Sequence, residues 1–312
     1  MNKENLRLIF MGTPNISAEV FEAMILDGYK FVGLIAQPDR PVGRKGELEK
    51  VPTKVVAEKY HIPVFQPVKI RKEYEFVKEL NPDIIITLAY GQIVPQGLLD
   101  IPKYGCLNLH GSLLPKYRGA APIQYALING EKVTGMTLME MVAAMDAGRM
   151  YGQKEVMIED DDNATSLFQK MSIAAKELIL EKLPEYIDGK IEGIPQDESL
   201  VTFCPTIKPE QEKLDINLTA QEILGWIRGL SDHPGAYFLL EDKKLKVYKA
   251  SLLNKEENHP IGEIIQADKR GLVVQLKQGQ LALLEVQKEG KNRMDYKSFL
   301  NGNQGLLGKK LD

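Results

Sequence analysis

The run Asn108-Leu109-His110-Gly111-Ser112-Leu113-Leu114-Pro115 gathers the residue types best suited to chemistry in this chain. Asn108 and His110 stand two apart, so on a strand their side chains share a face, about 6 to 7 Å apart along the chain. An amide donor beside an imidazole is equipment for acyl chemistry. Asn hydrogen-bonds a carbonyl oxygen as it gains negative charge, and His moves a proton. A carboxylate that fixes the imidazole completes such a set. Asp146, in Met145-Asp146-Ala147-Gly148 after the following strand, is the candidate. Asn-x-His alone also describes an ordinary structural hydrogen bonder at a strand end, and a Gly-Ser-Leu-Leu-Pro loop also serves as a plain turn. The unbroken run onward through Lys116-Tyr117-Arg118-Gly119-Ala120-Ala121-Pro122 favours the chemical reading.

The elements that must position these residues are legible as alternating strands and helices. Residues 6–10 read as a strand and about 17–26 as a helix, with Val20, Phe21, Met24 and Ile25 on one face. A second strand over 31–36 and helices over 51–60 and 72–80 follow. Residues 83–88 form an apolar run suited to a strand buried on both faces. The strand over 106–110 ends at Gly111, and a helix starts near Pro122 and stops near Gly130. Strands over 133–141 and 150–157 precede a long helix, with Thr165 as its expected N-cap and Asp160, Asp161 and Asp162 near its positive end. Strands alternating with helices imply right-handed crossovers. The expectation for residues 1–189 is therefore α/β: a Rossmann-like, mainly parallel sheet with helices on both faces. The end of the 106–110 strand then falls at the carboxyl edge of the sheet, the usual ligand crevice.

The pattern changes after Gly189. Gly193, Pro195 and Pro205 give residues 190–206 the composition of a linker. Beyond it, Thr219-Ala220-Gln221-Glu222 reads as a capping box, and Ile223, Trp226, Ile227 and Leu230 form an apolar stripe. Five short strands, over 236–240, 245–252, 262–267, 272–277 and 281–286, are divided by hairpin turns. Residues 207–312 are thus expected to form a C-terminal OB-like β-barrel.

Composition narrows the function. The chain has 312 residues, 44% hydrophobic and 27% charged, with a net charge of -3, which excludes a bulk polycation, a fibre and a disordered tail protein. Any nucleic-acid contact must come from a local patch. The sharpest is the loop over 37–54, where Arg40, Arg44, Lys45, Lys50 and Lys54 stand among prolines and glycines; a solvated connection is the plainer reading of the same residues. Cys106 and Cys204 have no metal-ligand spacing, so no metal site is expected. The most apolar internal run, residues 84–89, falls far short of the ~20 residues a membrane-spanning helix needs. The N-terminus carries no secretion signal, and the expected location is the cytoplasm. Gly12-Thr13-Pro14 is not the glycine fingerprint of dinucleotide binding.

Five stretches together resemble the folate-dependent formyltransferases: Phe10-Met11-Gly12-Thr13-Pro14, residues 37–44, Ala89-Tyr90-Gly91, residues 108–122 and Met145-Asp146-Ala147-Gly148. The resemblance spans essentially the whole chain. It implies transfer of the formyl group of 10-formyltetrahydrofolate to the α-amine of methionine esterified to initiator tRNA, the step that readies that tRNA for translation initiation. It also implies Asn108, His110 and Asp146 as the catalytic trio, and Ser112, Leu113, Leu114 and Pro115 as the folate-binding loop. Tyr90 would help wall the pterin pocket. Arg44, flanked by Arg40 and Lys45, would meet the tRNA acceptor stem, and a monomer is expected. In one place the sequence departs from the family, whose usual acidic neighbours of the aspartate are here Val142 and Arg149. A formyltransferase with a small acceptor, such as glycinamide ribonucleotide or an amino sugar nucleotide, would share the trio. A glycinamide ribonucleotide enzyme should lack the basic loop and the barrel, whereas a sugar-nucleotide enzyme could carry a similar barrel. A folate-dependent hydrolase should carry an additional N-terminal domain, and a non-catalytic RNA-binding module would have no use for the trio.

Overall fold

The computed structural model describes residues 3–42, 47–253 and 259–312. The apolar runs of the first half become β1 (Leu8–Gly12), β2 (Phe31–Ile35), β3 (Val64–Phe65), β4 (Ile84–Leu88) and β5 (Cys106–His110), joined by β6 (Val133–Glu140) and β7 (Met150–Met157). They form one sheet in the order β7-β6-β5-β4-β1-β2-β3. The pairs β1/β2, β1/β4, β2/β3 and β4/β5 are parallel, while β6 runs antiparallel to β5. Every residue of β1 and β4 is buried, which is why both read as unbroken apolar runs. Phe10 stacks on Phe21 of helix α1 (Asn15–Leu26), with ring centroids 4.9 Å apart. Ile9 and Met11 point to the opposite face and pack with Val77 and Leu98, so helices cover both sides. Helix α2 (Pro52–Lys59) starts on a proline, whose missing N–H costs nothing there. The helix expected over 72–80 is only Phe76–Leu80. Upstream, the Glu73 carboxylate accepts the backbone N–H groups of Val68 and Lys69 and holds those residues in a turn. Because β1 lies between β2 and β4, the chain leaves it to one side and returns on the other. This is the switch point at which open α/β sheets form a ligand crevice.

The chain divides into two compact units that are discontinuous in sequence. The first comprises Met1–Gly119, Thr134–Met157 and Phe168–Phe203; the second comprises Ala120–Val133, Ile158–Leu167 and Cys204–Asp312. The linear division at residue 189 differs from this for two physical reasons. Residues up to 203 are hydrogen-bonded into the first unit: Met150 and Ile194 exchange backbone hydrogen bonds of 2.9 and 2.8 Å, and the Arg118 N–H donates to the Thr202 carbonyl at 2.9 Å. Conversely, helix α3 (Pro122–Ile128) belongs to the second unit, where Tyr125 meets Trp226 edge-on. Helix α4 (Ala164–Ile187) is capped by Asn163, not Thr165. The Asn163 side chain accepts the Ser166 N–H at 3.0 Å, and the Thr165 hydroxyl donates to Asp232.

In the second unit, helix α5 (Ala220–Leu230) opens with the expected reciprocal cap between Thr219 and Glu222. A side chain at Gly225 would place its Cβ 2.4 Å from the Ile128 carbonyl, so glycine is what permits α3 to lie against α5. Strands β8 (Tyr237–Leu240), β9 (Lys243–Leu253), β10 (Ile264–Asp268), β11 (Gly271–Leu276) and β12 (Gly279–Lys288) form an antiparallel sheet in the order β8-β9-β12-β11-β10. Its core packs Ile223, Ile227 and Leu230 of α5 against Phe238, Val247 and Leu283. The last residues join the two edges. Leu239 and Asp312 exchange backbone hydrogen bonds on β8, while Leu311 donates to Gly262 and Ile264 donates to Lys309 beside β10. This tail satisfies edge groups that would otherwise lie open.

Candidate active site

β5 places Asn108 and His110 on one face at the carboxyl edge of the sheet, Asn108 in register with Thr87 of β4 and His110 with Thr137 of β6. His110 is buried, and its Nε2 lies 2.8 Å from the Tyr117 carbonyl oxygen. A carbonyl only accepts, so Nε2 carries the hydrogen. The other ring nitrogen, Nδ1, faces Asp146 Oδ1 at 3.7 Å. A carbonyl oxygen thus fixes one ring nitrogen while a carboxylate oxygen stands near the other. Asp146 Oδ2 accepts the Gly119 N–H at 2.8 Å, tying the carboxylate to the loop that leaves His110. Asp146 and Tyr117 both hold left-handed backbone, with φ of 51° and 61°. Strain of this kind gathers where geometry is imposed by function.

Asn108 is half-buried, and its side-chain amide has no hydrogen-bond partner among the described residues. Beside it the Thr87 hydroxyl is buried and equally unpartnered among the described residues. An amide so placed is free to meet an incoming polar atom. The loop after His110 is held from beneath. The Ser112 hydroxyl donates to the Lys116 carbonyl, Thr137 Oγ1 donates to the Ser112 carbonyl and accepts the Leu114 N–H, and Gln153 donates to the Leu114 carbonyl. Ser112 and Leu114 are therefore buried, while Leu113 and Pro115 are partly exposed.

At the switch point, a cleft of about 470 Å³ opens among Thr13, Gln37, Arg40, Lys50, Tyr90 and Gly91. Thr13 and Gln37 both donate to the Tyr90 carbonyl, at 3.3 and 3.0 Å. The Tyr90 ring is buried among Ile9, Met11, Ile35 and Val94, and burial holds its hydroxyl well above the usual phenol range. Arg40 is exposed at the cleft wall, whereas Arg44 and Lys45 lie outside the described residues. Arg149, at the position of a usual acidic neighbour, donates to the Gly193 carbonyl at 2.9 Å, and Val142 is exposed. Among the described residues no cluster of His, Cys, Asp or Glu could hold a metal ion.

The layer behind the trio was not legible from spacing. Gln196 Nε2 donates to both the Asp146 and the Gly148 carbonyls, at 2.8 Å each, and its Oε1 accepts Arg118 Nε at 3.0 Å. The Arg118 guanidinium is buried and also binds Glu198. Thr202 Oγ1 accepts the Tyr117 N–H. Gln196 and Thr202 lie in a stretch whose glycines and prolines give no periodicity, so no signal marked them.

An Asn/His/Asp set lies at the carboxyl edge of a Rossmann-like sheet, a small antiparallel unit follows it in sequence, and the chain belongs to the formyl transferase family. The family's description Formyl transferase matches residues 6–183, and Formyl transferase, C-terminal domain, matches residues 206–304. Within that family the relatives are specific. The chain is 45% identical over 297 residues to the methionyl-tRNA formyltransferase of Lactobacillus acidophilus, covering 95% of both chains. It is 46% identical over 309 residues to that of Bacillus cereus, covering 98% of both. Among solved structures, an N-formyltransferase from Helicobacter canadensis in complex with folinic acid and dTDP-3-aminofucose shares the fold at a TM-score of 0.69, with 20% identity over 91% of this chain and 99% of that one. HypX from Aquifex aeolicus in complex with tetrahydrofolic acid gives a TM-score of 0.67 and 16% identity over 97% of this chain and 48% of that one. No described helix is long and apolar enough to cross a membrane.

Proposed function

We propose that the protein transfers the formyl group of 10-formyltetrahydrofolate to the α-amine of methionine esterified to initiator tRNA, with Asn108, His110 and Asp146 as its catalytic set. The observation that carries this reading is the unpartnered Asn108 amide on the same strand face as a His110 ring directed by Asp146. As the amine attacks the formyl carbon, charge grows on the formyl oxygen. Asn108 donates to it, and His110 joins by exchanging the Tyr117 carbonyl for this stronger acceptor. Asp146 keeps the ring oriented and balances its charge. The bond from the formyl carbon to the amine forms, the bond to folate N10 breaks, and the proton lost by the amine ends on N10.

The loop of Ser112, Leu113, Leu114 and Pro115 and the backbone at Tyr90 hold the folate. This is supported by their leaving adjacent strands at the same sheet edge. Arg40, Arg44 and Lys45 meet tRNA phosphates, the protein acting as a monomer in the cytoplasm. The test is to incubate the protein with 10-formyltetrahydrofolate and, separately, methionyl-tRNA, free methionine or an amino sugar nucleotide. Formyl transfer to methionyl-tRNA alone is expected. Formylation of the sugar nucleotide in preference to methionyl-tRNA would overturn the acceptor assignment.

A further inference from the structure

Asp146 reaches His110 from a loop, not from a strand, and its left-handed backbone has no intrinsic tendency to stay there. What holds it is visible. One side-chain amide spans the turn, giving one hydrogen to the Asp146 carbonyl and the other to the Gly148 carbonyl, each at 2.8 Å. At Gly148 the chain passes so close to β6 that a Cβ there would lie 2.0 Å from the Glu140 carbonyl. The amide belongs to Gln196, which is itself fixed from two sides. Its oxygen accepts Nε of the buried Arg118, one residue before Gly119, and its own segment is paired to β7 through Met150 and Ile194. Gln196 therefore links the two loops that converge on His110: the one carrying Asp146 and the one carrying Tyr117 and Gly119.

We propose that Gln196 is a positioning residue for the transfer, aiming the Asp146 carboxylate at His110 through both hydrogens of its side-chain amide. The proposal rests on the reading above that Asp146 acts on His110. Gln196 hydrogen-bonds Asp146, Gly148 and Arg118 and not the His110 ring, so its effect is carried by the geometry of the loop.

The variant that isolates this is Gln196→Glu. It keeps the side-chain shape and an oxygen for Arg118 but replaces both amide hydrogens with an acceptor facing two carbonyls. Gln196→Leu removes the same donors without adding charge. With 10-formyltetrahydrofolate and methionyl-tRNA each varied, both variants should lose about 10- to 100-fold in kcat, the scale of a reacting group displaced by about 1 Å. Both KM values should stay near wild type. The melting temperature of Gln196→Glu should fall, because two carbonyls lose their donors, while its circular dichroism at the assay temperature stays that of the folded protein. Asp146→Asn is measured alone and combined with Gln196→Glu. If Gln196 works through Asp146, the double variant is no slower than Asp146→Asn; losses that multiply would overturn the positioning role. Unchanged kcat in Gln196→Glu beside a slow Asp146→Asn, or a change confined to KM, would overturn it too. A wild-type kcat in Asp146→Asn would instead overturn the reading of the trio.

Discussion

Replacing Asp146 by Asn removes a charge and almost nothing else. Asparagine has the same shape, tolerates a φ of 51°, and offers an oxygen to accept the Gly119 N–H that Asp146 Oδ2 now accepts at 2.8 Å. What changes is the partner of His110. In place of a carboxylate oxygen 3.7 Å from Nδ1, the ring meets an amide that carries no charge. In the proposed transition state, where the ring carries positive charge, two unit charges at that separation attract by about 4.5 kcal/mol at an effective dielectric of about 20. The two side chains are 6% and 16% exposed, so solvent screening trims this only in part. A loss of roughly 2 to 4 kcal/mol of transition-state stabilisation follows, or about 30- to 1,000-fold in kcat. The assay is steady-state formylation of methionyl-tRNA at saturating 10-formyltetrahydrofolate, paired with a thermal melt of each protein. A kcat within a few-fold of wild type in a protein that melts normally would refute the role given to the carboxylate.

Three further outcomes test other parts of the structure. Leu311 is fully buried in the core of the second unit and sits on the tail that joins both sheet edges. Leu311→Ala should cost about 2 to 5 kcal/mol in urea unfolding of the full chain, against near-zero cost for the exposed Leu307→Ala. Arg40→Ala should raise KM for methionyl-tRNA without moving KM for the folate, and should flatten the dependence of tRNA affinity on log salt by about one unit if that side chain neutralises one phosphate. The Cys106 thiol is pushed up to about 12 by burial, from an ordinary value of 9.0. Its stabilising contribution is therefore complete below about pH 9 and erodes as pH climbs towards 12, and iodoacetamide at pH 8.5 should label Cys106 only after denaturation.

Much of this architecture can be read from residue order, and the parts that cannot share a cause. The 106–110 strand, the Thr219–Glu222 cap and the all-apolar 84–88 strand announce themselves because each is a local pattern meeting a local need. Partners are another matter. Helix α3 shows an apolar face in sequence, but nothing in its own residues says that the face meets α5. The tail at 309–312 is two lysines, a leucine and an aspartate, and its pairing with β8 and β10 is made by backbone groups that every residue carries. Asn163 outcompetes Thr165 as a cap because the Thr165 hydroxyl has Asp232 within reach, a neighbour 67 positions away. At the site, Asn108, His110 and Asp146 were visible as chemistry, whereas Gln196 was hidden by the glycines and prolines around it. A glutamine among such residues has no periodic companion to mark its direction.

The most direct test of the account is a single-turnover measurement of formyl transfer to methionyl-tRNA by Asn108→Ala. The Asn108 amide has no partner among the described residues, so truncating it should leave the melting temperature and the affinity for both substrates unchanged. Losing one donor to the developing charge costs about 2.7 to 4 kcal/mol, so transfer should slow by about 100- to 1,000-fold. Transfer at the wild-type rate by this variant would contradict the account, because the carbonyl would then be activated from somewhere other than the end of β5.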